Sequence, residues 1–80
     1  MTLSVMHNIS IEGKIMNNKL LKDKRLSKNL TQKELAKQVN ISERHYQGIE
    51  LGKRSPSIKL ALRLCEILEI DLADLFPRQP

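Results

Sequence analysis

Aromatic side chains are almost missing from this 80-residue chain: there is no tryptophan, and Tyr46 and Phe76 are the only tyrosine and phenylalanine. Proteins that read single-stranded RNA stack bases on aromatic platforms, so that mode of recognition is not expected. Cys65 is the single cysteine. It allows no internal disulfide and fits a reducing compartment. No apolar run approaches the roughly 18 to 20 residues of a membrane span, and no basic segment followed by an apolar core marks a secretory signal. The expectation is a cytoplasmic protein with no membrane partner. Gly-rich phosphate loops, Cys–His pairs and a credible Ser–His–Asp set are also absent, and so short a chain has little room for a substrate pocket. An enzyme is therefore not expected. The two histidines, His7 and His45, are far apart and neither has a second ligand at helical spacing. No metal, cofactor or small-molecule ligand is expected.

What is present suits a single small domain. The chain is 40% hydrophobic, enough for one core. Leu, Lys, Glu and Gln are frequent, while glycine and proline occur three times each, a mix that predicts an all-α domain. The net charge of +5 is unevenly placed. Between Lys14 and Arg63 thirteen bases face four acids, whereas Glu66 to Asp74 holds four acids and no base. A basic body of this kind can face a polyanion while the acidic segment faces away; an ordinary solvated surface gives the same sum.

Residues 1–15 form an N-terminal arm with apolar residues at odd positions: Leu3, Val5, Ile9, Ile11 and Ile15. Period two predicts a strand, but nothing else in the chain reads as β, so the strand would pair with a second copy or stay a flexible arm. Met16-Asn17-Asn18-Lys19 could start a shorter product, which would make the arm dispensable. Residues 16–77 then read as five helices, with 78–80 a tail. The first runs from about Asn17 to Lys28, with Leu20, Leu21, Arg25 and Lys28 near one face and Leu26 and Leu30 closing its end. Asn29 can stop it in the left-handed conformation. Thr31-Gln32-Lys33-Glu34 is a capping box opening the second helix, whose inner face is Leu35, Ala36 and Val39. Asn40 suits the positive φ of a tight turn, Ile41 can plug the core, and Ser42 caps a third helix, Glu43 to Leu51. Tyr46, Ile49 and Glu50 would face inward; Glu43, Arg44, Gln47 and Gly48 would face outward, with His45 at the flank. Gly52 ends that helix. Ser57 caps a fourth with a broad apolar stripe of Ile58, Ala61, Leu62, Leu64, Cys65 and Leu68. Asp71 can cap a last helix, Leu72 to Phe76, stopped by Pro77.

Gln32 to Leu51, QKELAKQVNISERHYQGIEL, resembles the helix-turn-helix of phage-repressor-like, Cro-type (XRE family) regulators. The residues that carry the likeness are Thr31-Gln32, Leu35-Ala36, Val39-Asn40-Ile41-Ser42, Ile49-Glu50 and Gly52-Lys53, with Arg25 upstream and Pro56-Ser57 downstream. The resemblance implies a compact five-helix DNA-binding domain whose third helix enters the major groove. It places Ser42, Glu43 and Arg44 near bases or phosphates, Gln47 and Gly48 one turn later, Gln32 as a clamp on the DNA backbone, and Lys53 and Arg54 in a loop touching phosphate. His45 would be exposed beside the DNA backbone. Arg25 and Glu50 would form a buried ion pair. Arg44 has the chemistry to read guanine bidentately, Glu43 to accept from cytosine, and Gln47 to serve adenine. Gly48 offers no side chain there. Tyr46 stands at a usually aliphatic position, which suggests the edge of the core near the DNA backbone. Glu69 stands where the family usually has glycine, at a cost of about 1 kcal/mol if left-handed.

The implied partner is double-stranded DNA, bound by a homodimer at an inverted repeat, most simply for repression. The last helix, with an exposed Leu or Phe, and the odd-position stripe of the arm are the candidate dimer surfaces. A protein-interaction adaptor or an antitoxin-like partner using the same fold is the alternative.

Overall fold

In the computed structural model the described residues are 9–10 and 14–77. The elements run β1 (Ile9–Ser10), β2 (Lys14–Ile15), α1 (Asn18–Ser27), α2 (Gln32–Gln38), α3 (Glu43–Glu50), α4 (Ile58–Leu68) and α5 (Leu72–Leu75). The expected all-α domain of five helices is present, with α1, α3 and α5 within a residue or two of their predicted bounds and α2 and α4 starting directly after their predicted caps.

The strand expectation needs correction. Rather than a lone strand awaiting a partner, β1 pairs with β2 antiparallel, Ile9 opposite Ile15 and Ser10 opposite Lys14. The chain supplies its own partner. The missed signal is Glu12-Gly13, since a glycine within a short interval between two apolar runs marks a hairpin. Leu3, Val5, His7, Ile11 and the tail 78–80 lie outside the described residues.

The helices begin where side chains satisfy orphan backbone donors. Asn17, Ser42 and Ser57 accept from the N–H groups of Leu20, His45 and Leu60. At α2 the capping box is complete: Thr31 Oγ1 accepts from Glu34 N–H at 3.0 Å, and Glu34 Oε1 accepts from Thr31 N–H at 2.8 Å. The bond from the Thr31 N–H, and then the Thr31 side chain, favour the charged carboxylate and hold the Glu34 pKa below its ordinary value. Asp71 makes no side-chain cap bond at α5, contrary to expectation. Among the described residues three non-glycines take the left-handed conformation, all at helix ends: Asn29 (φ 58°), Asn40 (φ 62°) and Glu69 (φ 57°). Glu69 therefore carries the expected strain, and its carboxylate meets Lys28 Nζ at 3.2 Å.

The core gathers Leu21 from α1, Leu35 and Ala36 from α2, Tyr46 and Ile49 from α3, Ala61, Leu64, Cys65 and Leu68 from α4, and Leu75 and Phe76 from the C-terminal turn. Met16 joins it from the other end of the chain, and Asn17 N–H donates to the Leu75 carbonyl at 2.6 Å. Burial pushes the Cys65 thiol pKa up, as expected of a core cysteine. Ile41 packs partly buried against this core, as expected of the turn residue.

Burial corrects three expectations. Leu26 does not close α1; it is exposed. The stripe on α4 is narrower than read: Ala61, Leu64, Cys65 and Leu68 are inside, while Ile58 and Leu62 are about half exposed, 54% and 50%. These two sit four residues apart, on a neighbouring edge of the helix. Leu75 and Phe76 are buried, so the last helix offers no exposed Phe for a second copy. Among the described residues the exposed large apolar ones are Ile15, Leu26, Leu51, Ile58 and Leu62.

Candidate nucleic-acid interface

Helix α3 is held from beneath by a polar cluster. Arg25 Nε donates to Glu50 Oε2 at 2.8 Å and Arg25 Nη2 to Glu50 Oε1 at 3.1 Å, a bidentate fork. The third guanidinium nitrogen, Nη1, donates to the Leu30 carbonyl at 2.7 Å. Tyr46 Oη donates to Glu50 Oε2 at 2.6 Å, and Gln32 Nε2 to Glu50 Oε1 at 2.8 Å. Four donated hydrogen bonds thus converge on one carboxylate, from α1, α2 and α3. Asn18 Nδ2 adds a bond from α1 to the Glu50 backbone carbonyl at 2.9 Å.

Arg25 and Glu50 are both buried, at 6% and 7% exposure. Burial alone would raise the Glu50 pKa, but the bonds from Arg25, Tyr46 and Gln32 outweigh it and leave it below the ordinary 4.5. The same carboxylate raises the Arg25 pKa against the opposing effect of burial. The Tyr46 hydroxyl is pushed up, first by burial and then by its bond to Glu50. The charged pair and the neutral phenol are therefore the species present at neutral pH.

One expectation changes here. Tyr46 is not at the core edge; it is completely buried, and its hydroxyl finds its outlet in Glu50. Tyr46 and Glu50 are i, i+4 on one helix, a spacing that already allowed the bond. Gln32 is half-buried, with one amide hydrogen committed to Glu50. It joins the start of α2 to the far end of α3.

The outer edge of α3 is different. Glu43 and Arg44 are exposed and Gln47 and Gly48 half-exposed. Ser42 is occupied as the cap, with its backbone at the entry of the helix. Gln47 Nε2 reaches Glu43 Oε2 at 3.3 Å, a weak contact along the surface. Lys53 and Arg54 are exposed in the loop after the helix, where Gly52 at φ 81° turns the chain.

His45 stands apart from that edge. It is half-buried and borders a shallow groove with Ser57, Lys59, Leu60 and Arg63. Lys33 and Lys37 line a second groove with Asn40, Ile41 and Glu43, which shares Asn40 and Ile41 with the first. Neither lysine was singled out from the sequence. Their i, i+4 spacing on the solvent face of α2, beside the turn, was the available signal.

Comparison with known proteins gives a consistent result. The family model described as helix-turn-helix matches residues 21–75. An uncharacterized HTH-type transcriptional regulator of Methanocaldococcus jannaschii is 41% identical over 61 residues, covering 76% of this chain and 91% of the relative. The ImmF control region 10 kDa protein of Bacillus phage phi105 is 40% identical over 53 residues, covering 66% of this chain and 59% of the phage protein. Among solved structures, the restriction-modification controller protein C.AhdI of Aeromonas hydrophila superposes with a TM-score of 0.65 at 30% identity, covering 74% of this chain and 86% of the controller.

Proposed function

The chain belongs to the Cro-type (XRE) helix-turn-helix family of DNA-binding regulators, which are not enzymes, and from that premise we propose that it is a sequence-specific repressor binding an inverted-repeat operator as a homodimer. In this reading α3 lies in the major groove with its first turn leading. Arg44 reads a guanine edge and Glu43 a neighbouring cytosine or the register. Gln32, Lys53 and Arg54 take phosphates, and Gln47 extends the reading edge by one turn.

The observation that carries the reading is the split of α3 into two edges. The inner edge is locked through Glu50 by four hydrogen bonds. The outer edge carries Arg44, whose side chain is engaged by no ion pair or hydrogen bond among the described residues. A rigid helix presenting free, exposed polar groups is what groove recognition needs, because base contacts tolerate little misplacement. One reading helix spans only a few base pairs. Two copies related by a two-fold reach half-sites about 34 Å apart, one helical turn.

Selection of bound duplexes from random sequence, followed by titration of the selected site across salt, tests the proposal. An inverted repeat should emerge, and affinity should fall steeply as salt rises because each neutralised phosphate releases counterions. No enrichment and no duplex binding would transfer the fold to the adaptor reading. The mass in solution, free and on the operator, decides the homodimer.

A further inference from the structure

Gly48 sits on the outer edge of α3, four residues beyond Arg44. Space beside it is already taken. A Cβ built on Gly48 would lie 2.9 Å from Arg54 Cδ, 3.1 Å from Arg54 Cγ and 3.3 Å from Arg54 Nε. The aliphatic stem of Arg54 therefore lies directly on the bare backbone of the reading helix. The main chain holds it there: the N–H groups of Lys53 and Arg54 both donate to the Gly48 carbonyl, at 2.8 and 3.1 Å. Gly52, at φ 81°, makes the reversal that brings the loop back over the helix. Arg54 is exposed, and its guanidinium has no ion pair or side-chain hydrogen bond among the described residues. The stem is seated and the head is free.

We propose that Gly48 is a positioning residue: by having no side chain it leaves the seat in which Arg54 lies, and so presents the Arg54 guanidinium to a DNA phosphate beside the second turn of α3. This inference rests on the DNA-binding reading above. A side chain at 48 and the stem of Arg54 exclude one another, so the helix gives up its own contact at this position and borrows one from the loop. Fixing the stem removes much of the rotational freedom that a surface arginine loses on binding. The guanidinium is a fitting group for the task, since its planar fork matches phosphate oxygens.

A double-mutant cycle on the full chain and its selected operator tests this, with Gly48→Ala, Arg54→Ala and the double variant titrated across salt. Arg54→Ala should weaken binding about fivefold, alike on operator and unrelated duplex, and reduce the salt slope by about one. Gly48→Ala should weaken binding about threefold with Arg54 present and have no effect in the Arg54→Ala background. Its melting temperature should not fall, because alanine is the better helix former. Equal losses from Gly48→Ala in both backgrounds would mean that the methyl group obstructs DNA directly and would overturn the proposal. So would an Arg54→Ala variant with unchanged affinity and slope. Absence of any duplex binding by the unaltered chain would instead remove the DNA-binding reading itself. Loss of binding in Arg44→Ala with independent Gly48 and Arg54 would remove this inference alone.

Discussion

The two edges of α3 are built from the same eight residues and follow opposite rules. On the inner edge every polar atom of Glu50 has a partner: the carboxylate takes four hydrogen bonds and the main-chain carbonyl takes one from Asn18. On the outer edge the Arg44 side chain, and that of Arg54 from the following loop, have none among the described residues, and Glu43 and Gln47 share one long contact. A buried charge must be satisfied internally because water cannot reach it. A recognition edge must stay unsatisfied internally so that DNA can complete it. Satisfied polar groups thus mark structure, and unsatisfied exposed ones mark work still to be done.

Removing Glu50 should break this contrast most severely. Glu50→Ala strands the Arg25 guanidinium in the core, at roughly 3 to 5 kcal/mol. A domain of this size is stable by only about 5 kcal/mol, so denaturant titration should find the variant largely unfolded. A variant with wild-type stability would show that the inner edge is not a lock.

Arg44→Ala should do the reverse. Urea stability should be unchanged, while affinity for the selected operator should drop by about 1 to 3 kcal/mol with relaxed preference at one base pair. Uniform weakening on every duplex would move Arg44 from base reading to phosphate contact.

Tyr46→Phe sharpens the inner edge. One of four donors to a carboxylate disappears, so stability at neutral pH should fall by about 1.5 kcal/mol. Acid provides a matched measurement. The Glu50 pKa is depressed in the fold, so the unfolded chain takes up the proton first as pH falls. The stability from this group is complete above about pH 4.5, its ordinary value, and is lost as pH falls through the lower folded value. Tyr46→Phe raises that folded value, so acid unfolding followed by circular dichroism should move to higher pH.

The smallest effect is expected far from either edge. Glu69 is left-handed at φ 57° and exposed. Glu69→Gly relieves about 1 kcal/mol of strain, offset in part by the lost contact with Lys28 and by the greater freedom of glycine in the unfolded chain. Melting should rise by a few degrees at most, with no change in DNA affinity.

What could be read without coordinates divides along physical lines. Caps at Thr31, Ser42 and Ser57 and the left-handed Asn29 and Asn40 were foreseeable because they depend on residues three or four apart. The Arg25–Glu50 pair came from the family resemblance, since 25 residues of sequence separate its partners. The Gln32–Glu50 bond and the Arg54 stem over Gly48 were not foreseeable, because each depends on the angle at which a helix or loop meets α3. The buried Tyr46 was misjudged for a different reason. Its hydroxyl needs an outlet or a partner, and a carboxylate one turn away on the same helix supplies the partner inside the core. Periodicity also overstated burial on α4: Ile58 and Leu62 fit the apolar pattern, but the helix has neighbours over only part of that arc.

The hydrogen bond from Asn17 to Leu75 joins the two ends of the helical unit across nearly its whole length. A nascent chain cannot make it until the last turn has been synthesised, and until then Met16 lacks part of its place in the core. Closing so long a loop costs more chain entropy than the contacts between residues a few turns apart. The ends of the helical unit are thus part of one core, and a truncation that removes Leu75 and Phe76 takes away both this hydrogen bond and their share of the packing.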